Sequence, residues 1–293
     1  MNSDRTRAAL RRLLTLLGHV PLPGLHGVAA VFGTLLGWLP NRQRQITRLH
    51  LERCLPDLDA MQRRQIERRS LVHMLQAIIE APVLWFGPES QLRAWLEDAD
   101  ARRQLEALRA QDKGVIWLCP HIGAWELAGL FCSANGPMTS LYKPQKGAFD
   151  ALVREGRSRL GAALVPTTGA GVKSLLAALK NKEMIGILPD HDPPPGSGEF
   201  APLFGIPAHT TELVSKLAAR SGAPVWFCIA ERRPRGRGYA LHLIPAPADV
   251  GDPETGVAAL NRGVEDVIRR WPQQYWWSYK RYRRRPPDQP RFY

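Results

Sequence analysis

From residue 114 onward the chain alternates short apolar runs with amphipathic helical stretches, and no other feature restricts its fold as much. Val115-Ile116-Trp117-Leu118 and the run 184–188 are too short for typical helices and suit buried strands. Further strands are predicted at 139–142, 224–230 and 239–244, the last with visible alternation. Between them, helical spacing appears at 125–135, at 149–160, and at Val172, Leu175, Leu176 and Leu179. It returns at Leu213, Val214 and Leu217, with Thr210 as a cap, and at Val257, Leu260, Val264 and Val267. Such alternation predicts an α/β fold with a mostly parallel central sheet flanked by helices. Ligands of open parallel sheets gather at the carboxyl ends of the strands, and both His121 and Asp190 fall at predicted strand ends.

The first of these ends, GVIWLCPHIGAWELAG at 114–129, carries His121 and Glu126 across a turn loosened by Gly123. Along one regular helix two such side chains would diverge, so they converge only if the turn folds them together. An imidazole held by a carboxylate is a general base competent near neutral pH. A core histidine beside a surface glutamate is the plain structural alternative. The second end, LPDHDPPPGSGEFAPLFGIPAHT at 188–210, is expected to be a Pro- and Gly-rich loop walling a pocket, with Phe204-Gly205 offering an aromatic edge and bare backbone. His121, Glu126, Asp190 and His191 could also bind zinc, although no H-E-x-x-H and no cysteine pair supports that. A third cluster joins Tyr142-Lys143-Pro144 to Arg154 and Arg157, which share a helical face and could hold a phosphate; solvated surface charge is the alternative.

The N-terminal part reads differently. From Leu13 to Asn41 there are 29 consecutive residues without Lys, Arg, Asp or Glu, interrupted by Pro21 and Pro23. A spanning helix needs about 20 uninterrupted apolar residues, so a kinked anchor or an interfacial helix fits better than a clean span. Arg5, Arg7, Arg11 and Arg12 on one flank, and Arg42, Arg44 and Arg48 on the other, could rest on anionic headgroups. The chain therefore divides into a membrane-associating segment, 1–41, and a catalytic domain, 42–293. Helical spacing runs to about Trp85, where Pro82 and Gly87-Pro88 close the element, and resumes over 92–110.

Charge completes the picture. With 40 Lys plus Arg against 27 Asp plus Glu, the net +13 calls for an anionic partner. Four scattered cysteines with no C-x-x-C point to reduced thiols. Trp271, Tyr275, Trp276 and Trp277 beside the basic tail 280–285 suit a membrane interface. A basic nucleic-acid-binding protein would use the same residue types, but leaves the charge-free N-terminus and the His-Glu turn unexplained.

In order along the chain, His121-x4-Glu126, YKP, REGR, PDHDP with LFGIPAHT, and PQQYWWSYKRYRRRP resemble the bacterial lipid A biosynthesis acyltransferases, part of the wider glycerolipid acyltransferase superfamily. The resemblance implies that His121 is the general base and Glu126 the carboxylate orienting it. It implies Lys143, Arg154, Arg157, Asp190 and Gly205 as substrate-binding residues, and neither a cofactor nor a metal. The implied donor is an acyl carrier protein thioester or acyl-CoA, and the acceptor a phosphorylated glycolipid at the cytoplasmic face of the bacterial inner membrane. Related enzymes acylate other amphiphiles such as lysophospholipids or phosphoglycolipids. Leu203, where the family commonly has a second aromatic, and the run Pro193-Pro194-Pro195 depart from the pattern.

Overall fold

The computed structural model describes residues 2–293. A six-stranded sheet in the order β3-β2-β4-β1-β7-β8 forms its centre. The strands are β1 (Val115–Leu118), β2 (Met138–Tyr142), β3 (Ala163–Pro166), β4 (Met184–Ile187), β7 (Val225–Arg232) and β8 (Tyr239–Pro245). The first five run parallel and β8 closes one edge antiparallel to β7. β1 and β4 are buried at every residue, which is why they read as unbroken apolar runs. α7 (Trp125–Ala134), α8 (Ala148–Arg157), α9 (Gly169–Lys180), α10 (Leu213–Ser221) and α11 (Gly256–Arg270) make the crossovers and flanks. Two apolar clusters, one on each face of the sheet, form the core. Cys119, Cys132 and Cys228 are buried in one of these clusters, and all four cysteines are free.

Two expectations are revised. The stretch 188–210 is not simply a loop: β5 (Gly198–Leu203) and β6 (Ile206–Thr211) form a separate antiparallel hairpin turning at Phe204-Gly205. Thr210 belongs to β6, where its hydroxyl bonds Asn261, and α10 is instead preceded by Glu212. The aromatic-basic tail is also no exposed strip. Tyr275, Trp277, Arg281 and Tyr282 are buried, because the tail straps the hairpin to the body. Arg281 donates to the His209 carbonyl and the Thr210 hydroxyl, both at 2.7 Å, while Arg283 and Arg284 pair with buried Asp192.

The N-terminal part comprises α1 (Asn2–Gly18), α2 (Leu22–Trp38), α3 (Arg42–Cys54), α4 (Ala60–Phe86), α5 (Glu89–Leu96) and α6 (Ala99–Arg109). Among the described residues no single helix is long and apolar enough to cross a membrane; α1 and α2 pass such a test only together, bent by 104°. The bend falls at Pro21 and Pro23, as the ring chemistry of proline requires. Both helices pack on α4, and Gly33 sits so close to Val72 that a Cβ would lie 2.5 Å from its Cα. α4 starts with a capping box of Asp59 and Gln62, runs through Pro82 and ends at Phe86 with Gly87 as its cap, close to the expected end near Trp85. Leu13, Leu16, Val28, Val31, Phe32, Leu35, Trp38 and Leu39 remain exposed on α1, on α2 and just past its end.

Candidate active site

β1 and β4 are neighbours in register, Leu118 opposite Ile187. Three residues past each of those positions stand His121 and Asp190, so adjacent parallel strands deliver both to one carboxyl edge. Asp190 grips the histidine twice. Its Oδ1 lies 2.9 Å from His121 Nδ1 and its Oδ2 accepts the His121 backbone N–H at 3.0 Å. Burial alone would raise the Asp190 carboxyl, but the His121 charge and hydrogen bonds outweigh it and hold the group well below the usual carboxylate range. An ionised carboxylate can only accept, so Nδ1 carries the proton and Nε2 is left as the basic nitrogen.

The imidazole is fixed from several sides. His191 stacks on it with centroids 3.9 Å apart and planes 8° apart, and Tyr279 stacks on His191 in turn at 4.0 Å. Burial, followed by the charge of His121, pushes His191 down to about 3, so it packs there as a neutral ring. Trp125 lies 5.0 Å from the His121 ring and Trp276 meets it edge-on at 6.3 Å. The turn beneath is equally constrained. Gly123 has φ +57°, and a Cβ there would lie 2.2 Å from the Ala230 carbonyl oxygen, so only glycine fits. Its N–H donates to the Gln274 carbonyl at 3.1 Å and its carbonyl accepts from Arg232 Nη2 at 2.7 Å. Arg232 is itself paired with buried Glu80, which also holds His26 of α2 and the Tyr239 hydroxyl.

Glu126 does not meet His121 as the resemblance implies. It opens α7, and its carboxylate accepts Arg157 Nε at 3.0 Å, Arg157 Nη2 at 2.5 Å and Trp85 Nε1 at 3.2 Å. The hydrogen-bonded partner of the histidine is Asp190, from a strand 69 residues away. Arg154 and Arg157 both lie over the Tyr142 ring, at 5.7 and 5.6 Å, which gathers the YKP and REGR segments. Lys143 is exposed, with its charge felt at His191. Gly205 stands apart from this group. Its turn is held on α11, where Phe204 N–H donates to Glu265 at 2.7 Å and Arg269 covers the Phe204 ring, and no hydrogen bond or ring contact joins it to His121 among the described residues. Nor do the zinc candidates assemble: among the described residues no group of three or more His, Cys, Asp and Glu side chains is arranged to hold a metal ion.

An apolar groove of about 960 Å³ is lined by Leu14, Phe32, Leu36, Ile78 and Trp85 together with Trp125, Glu126 and Trp276, and Trp125 and Trp276 pack against the His121 ring. A smaller chamber of about 60 Å³ continues beneath Glu126, between α7 and the sheet. The arrangement therefore places one imidazole base, an apolar trough and a cluster of cations side by side.

The sequence profile of the bacterial lipid A biosynthesis acyltransferases matches residues 8–284. The lipid A biosynthesis lauroyltransferase of Escherichia coli K12 is 28% identical over 285 residues, covering 96% of this chain and 92% of that protein. The palmitoleoyltransferase of the same organism is 28% identical over 284 residues, with the same coverage, and its myristoyltransferase 24% over 268 residues, covering 89% and 82%. The chain is an acyltransferase and belongs to the bacterial lipid A biosynthesis acyltransferase family.

Proposed function

We propose that this protein moves a fatty acyl group from a carrier thioester, on acyl carrier protein or coenzyme A, to a hydroxyl of a phosphorylated glycolipid precursor of lipid A. The observation that carries this reading is a histidine with Nδ1 committed to an ionised carboxylate and Nε2 without a hydrogen-bond partner among the described residues, packed against Trp125 and Trp276 of an apolar groove. The acceptor hydroxyl gives its proton to His121 Nε2 as its oxygen attacks the thioester carbonyl. Asp190 stabilises the imidazolium. The tetrahedral oxyanion then collapses, the C–S bond breaks, and the sulfur leaves with the proton held by His121, giving an ester and a free thiol. Gly123 N–H is taken by Gln274, so the first turn of α7, which has no side-chain cap, is the better source of oxyanion donors. Neither a metal nor a cofactor enters this sequence of steps.

The groove suits acyl chains, since its walls are aliphatic and aromatic side chains. Arg157, paired with Glu126 of the groove wall, and its neighbours Arg154 and Lys143 suit acceptor phosphates. The exposed apolar faces of α1 and α2 line the groove and continue past its mouth, with Arg5, Arg7 and Arg12 alongside. This supports an interfacial seat on an anionic leaflet, such as the cytoplasmic face of the inner membrane, from which lipid enters the groove sideways. The positive net charge suits both that surface and an acidic carrier protein.

Mass spectrometry of lipid A from cells lacking the protein tests the reading. Accumulation of a species short of one acyl chain, restored by the wild type and not by His121→Ala, is expected. Unchanged lipid A with altered phospholipids would move the activity to another amphiphile.

A further inference from the structure

The loop between β7 and β8 takes no part in the site around His121, and it is strongly basic. Arg233, Arg235 and Arg237 are all exposed, and among the described residues none of them forms a salt bridge; Arg237 turns only onto the Pro234 carbonyl, at 3.3 Å. The loop is closed by its own hydrogen bonds. Arg233 N–H donates to the Gly238 carbonyl at 2.9 Å, Pro234 opens a single 3-10 turn, and Gly236 and Gly238 take the left-handed conformations that so tight a return needs. Arg235 stands within that turn at φ +60° and ψ +30°, a region that long side chains rarely enter. Glycine or asparagine would satisfy this backbone with less strain, so the turn itself does not call for an arginine.

The loop is also anchored on α2. Gly236 lies so close to Pro23 that a Cβ would stand 2.6 Å from its Cα, and Gly238 is backed by the Trp95 ring. From Pro23 the outer side of α2 continues through Gly24, Val28, Val31, Leu35 and Trp38, which are exposed and share one face at helical spacing. At the far end of that face, about 25 Å away along a 17-residue helix, Arg68 covers the Trp38 ring at 5.5 Å and Arg44 donates to the Trp38 carbonyl at 2.9 Å. An apolar strip thus runs between two groups of arginines. That pattern matches a bilayer surface, with acyl chains against the strip and headgroup phosphates at its ends.

We propose that the loop 233–238 is a clamp for anionic lipid headgroups, which lays α2 along the membrane and so turns the groove, whose wall includes Phe32, Leu35 and Leu39, toward the lipid. This rests on the interfacial seat described above and adds to it the element that fixes its orientation.

Flotation of the full-length protein with phosphatidylcholine vesicles, with and without phosphatidylglycerol, tests it. Each arginine close to an anionic surface contributes about fivefold to binding, so Arg233→Gln, Arg235→Gln and Arg237→Gln together weaken binding to the phosphatidylglycerol vesicles by about a hundredfold at low salt, and the gap narrows as salt is raised. Binding to phosphatidylcholine alone, the urea unfolding midpoint and acyl transfer in detergent micelles stay at the wild-type values. Lysine at the same three positions keeps most of the binding. Arg235→Gly separates charge from folding, since it relieves the backbone and leaves stability no lower while weakening vesicle binding about fivefold. The proposal is overturned if the triple glutamine variant floats as the wild type does, or if its loss is the same on vesicles without phosphatidylglycerol. It is also overturned if flotation is kept and KM for an acyl carrier protein thioester rises in detergent, which would make the loop a protein-docking surface. A wild type that floats with neither vesicle overturns the interfacial seat itself.

Discussion

Replacing Asp190 by asparagine tests the site at its most constrained point. The carboxylate accepts two hydrogen bonds on two oxygens, from the His121 ring and from the His121 backbone N–H. Asparagine offers one oxygen and one NH₂, so one of those donors must face another donor. If the oxygen stays on the backbone, the NH₂ meets Nδ1, which must then accept, and the ring proton moves to Nε2. The base is then in the wrong tautomer. If the amide flips, the backbone N–H is left unpaired in a buried position. In either case the imidazolium formed during transfer loses its counter-charge. For unit charges about 4 Å apart at an effective dielectric near 20 the lost attraction is about 4 kcal/mol. That corresponds to about a thousandfold in kcat. The assay is initial-rate acyl transfer at saturating donor and acceptor, with circular dichroism to confirm folding. A purified, folded Asp190→Asn protein retaining kcat within about tenfold of wild type would refute the reasoning.

Other consequences follow from the same structure. Gly123→Ala forces a Cβ to within 2.2 Å of the Ala230 oxygen at φ +57°, so the variant should lose about 2–4 kcal/mol in urea unfolding and lose activity with it. On α2, Phe32 and Leu35 are 58% and 50% exposed, and changing both to Asp should lower binding to anionic vesicles by about a hundredfold in flotation, without changing the unfolding midpoint. His50 is buried between the Trp277 carbonyl and the Tyr293 hydroxyl, and burial, reinforced by Arg281 and Arg53, pushes it down to about 4. The unfolded chain therefore binds a proton near pH 6.5 that the folded chain refuses until about pH 4, so stability is full above that range and falls by about 3 kcal/mol as the pH drops through it. His50→Asn should flatten that part of the wild-type curve, and urea midpoints measured from pH 7 to 4 would show it.

How much of this was legible depends on the range of the interactions. Val115–Leu118 and Met184–Ile187 announced themselves because buried parallel strands are apolar throughout, and with their crossovers they fixed the parallel sheet. β3 escaped notice because it is a short edge strand ending at Pro166 and exposed at both ends. The β5–β6 hairpin was hidden by Pro202 and Pro207, which face each other across it and mimic a loop. The buried arginines of the tail could not be recognised without that hairpin, since Arg281 pairs with its backbone. The site was half visible. His121 stood out at a strand end, but its partner was sought at Glu126, the nearest acid in the chain. The available signal was register: His121 and Asp190 each follow a buried strand by the same interval, and only the adjacency of β1 and β4 makes that interval meaningful. Trp276, expected at a membrane interface, and Tyr279, which drew no expectation, belong to the wall around the histidine for the same long-range reason.

Acyl transfer by this route requires His121 Nε2 to take the acceptor proton. The most direct measurement is the single-turnover rate of acyl transfer from a radiolabelled carrier thioester by purified His121→Ala protein, beside the binding constant for the glycolipid acceptor. A rate lower by about a thousandfold or more, with acceptor binding unchanged, is what the account predicts. Transfer at a near-normal rate by the folded variant would contradict it.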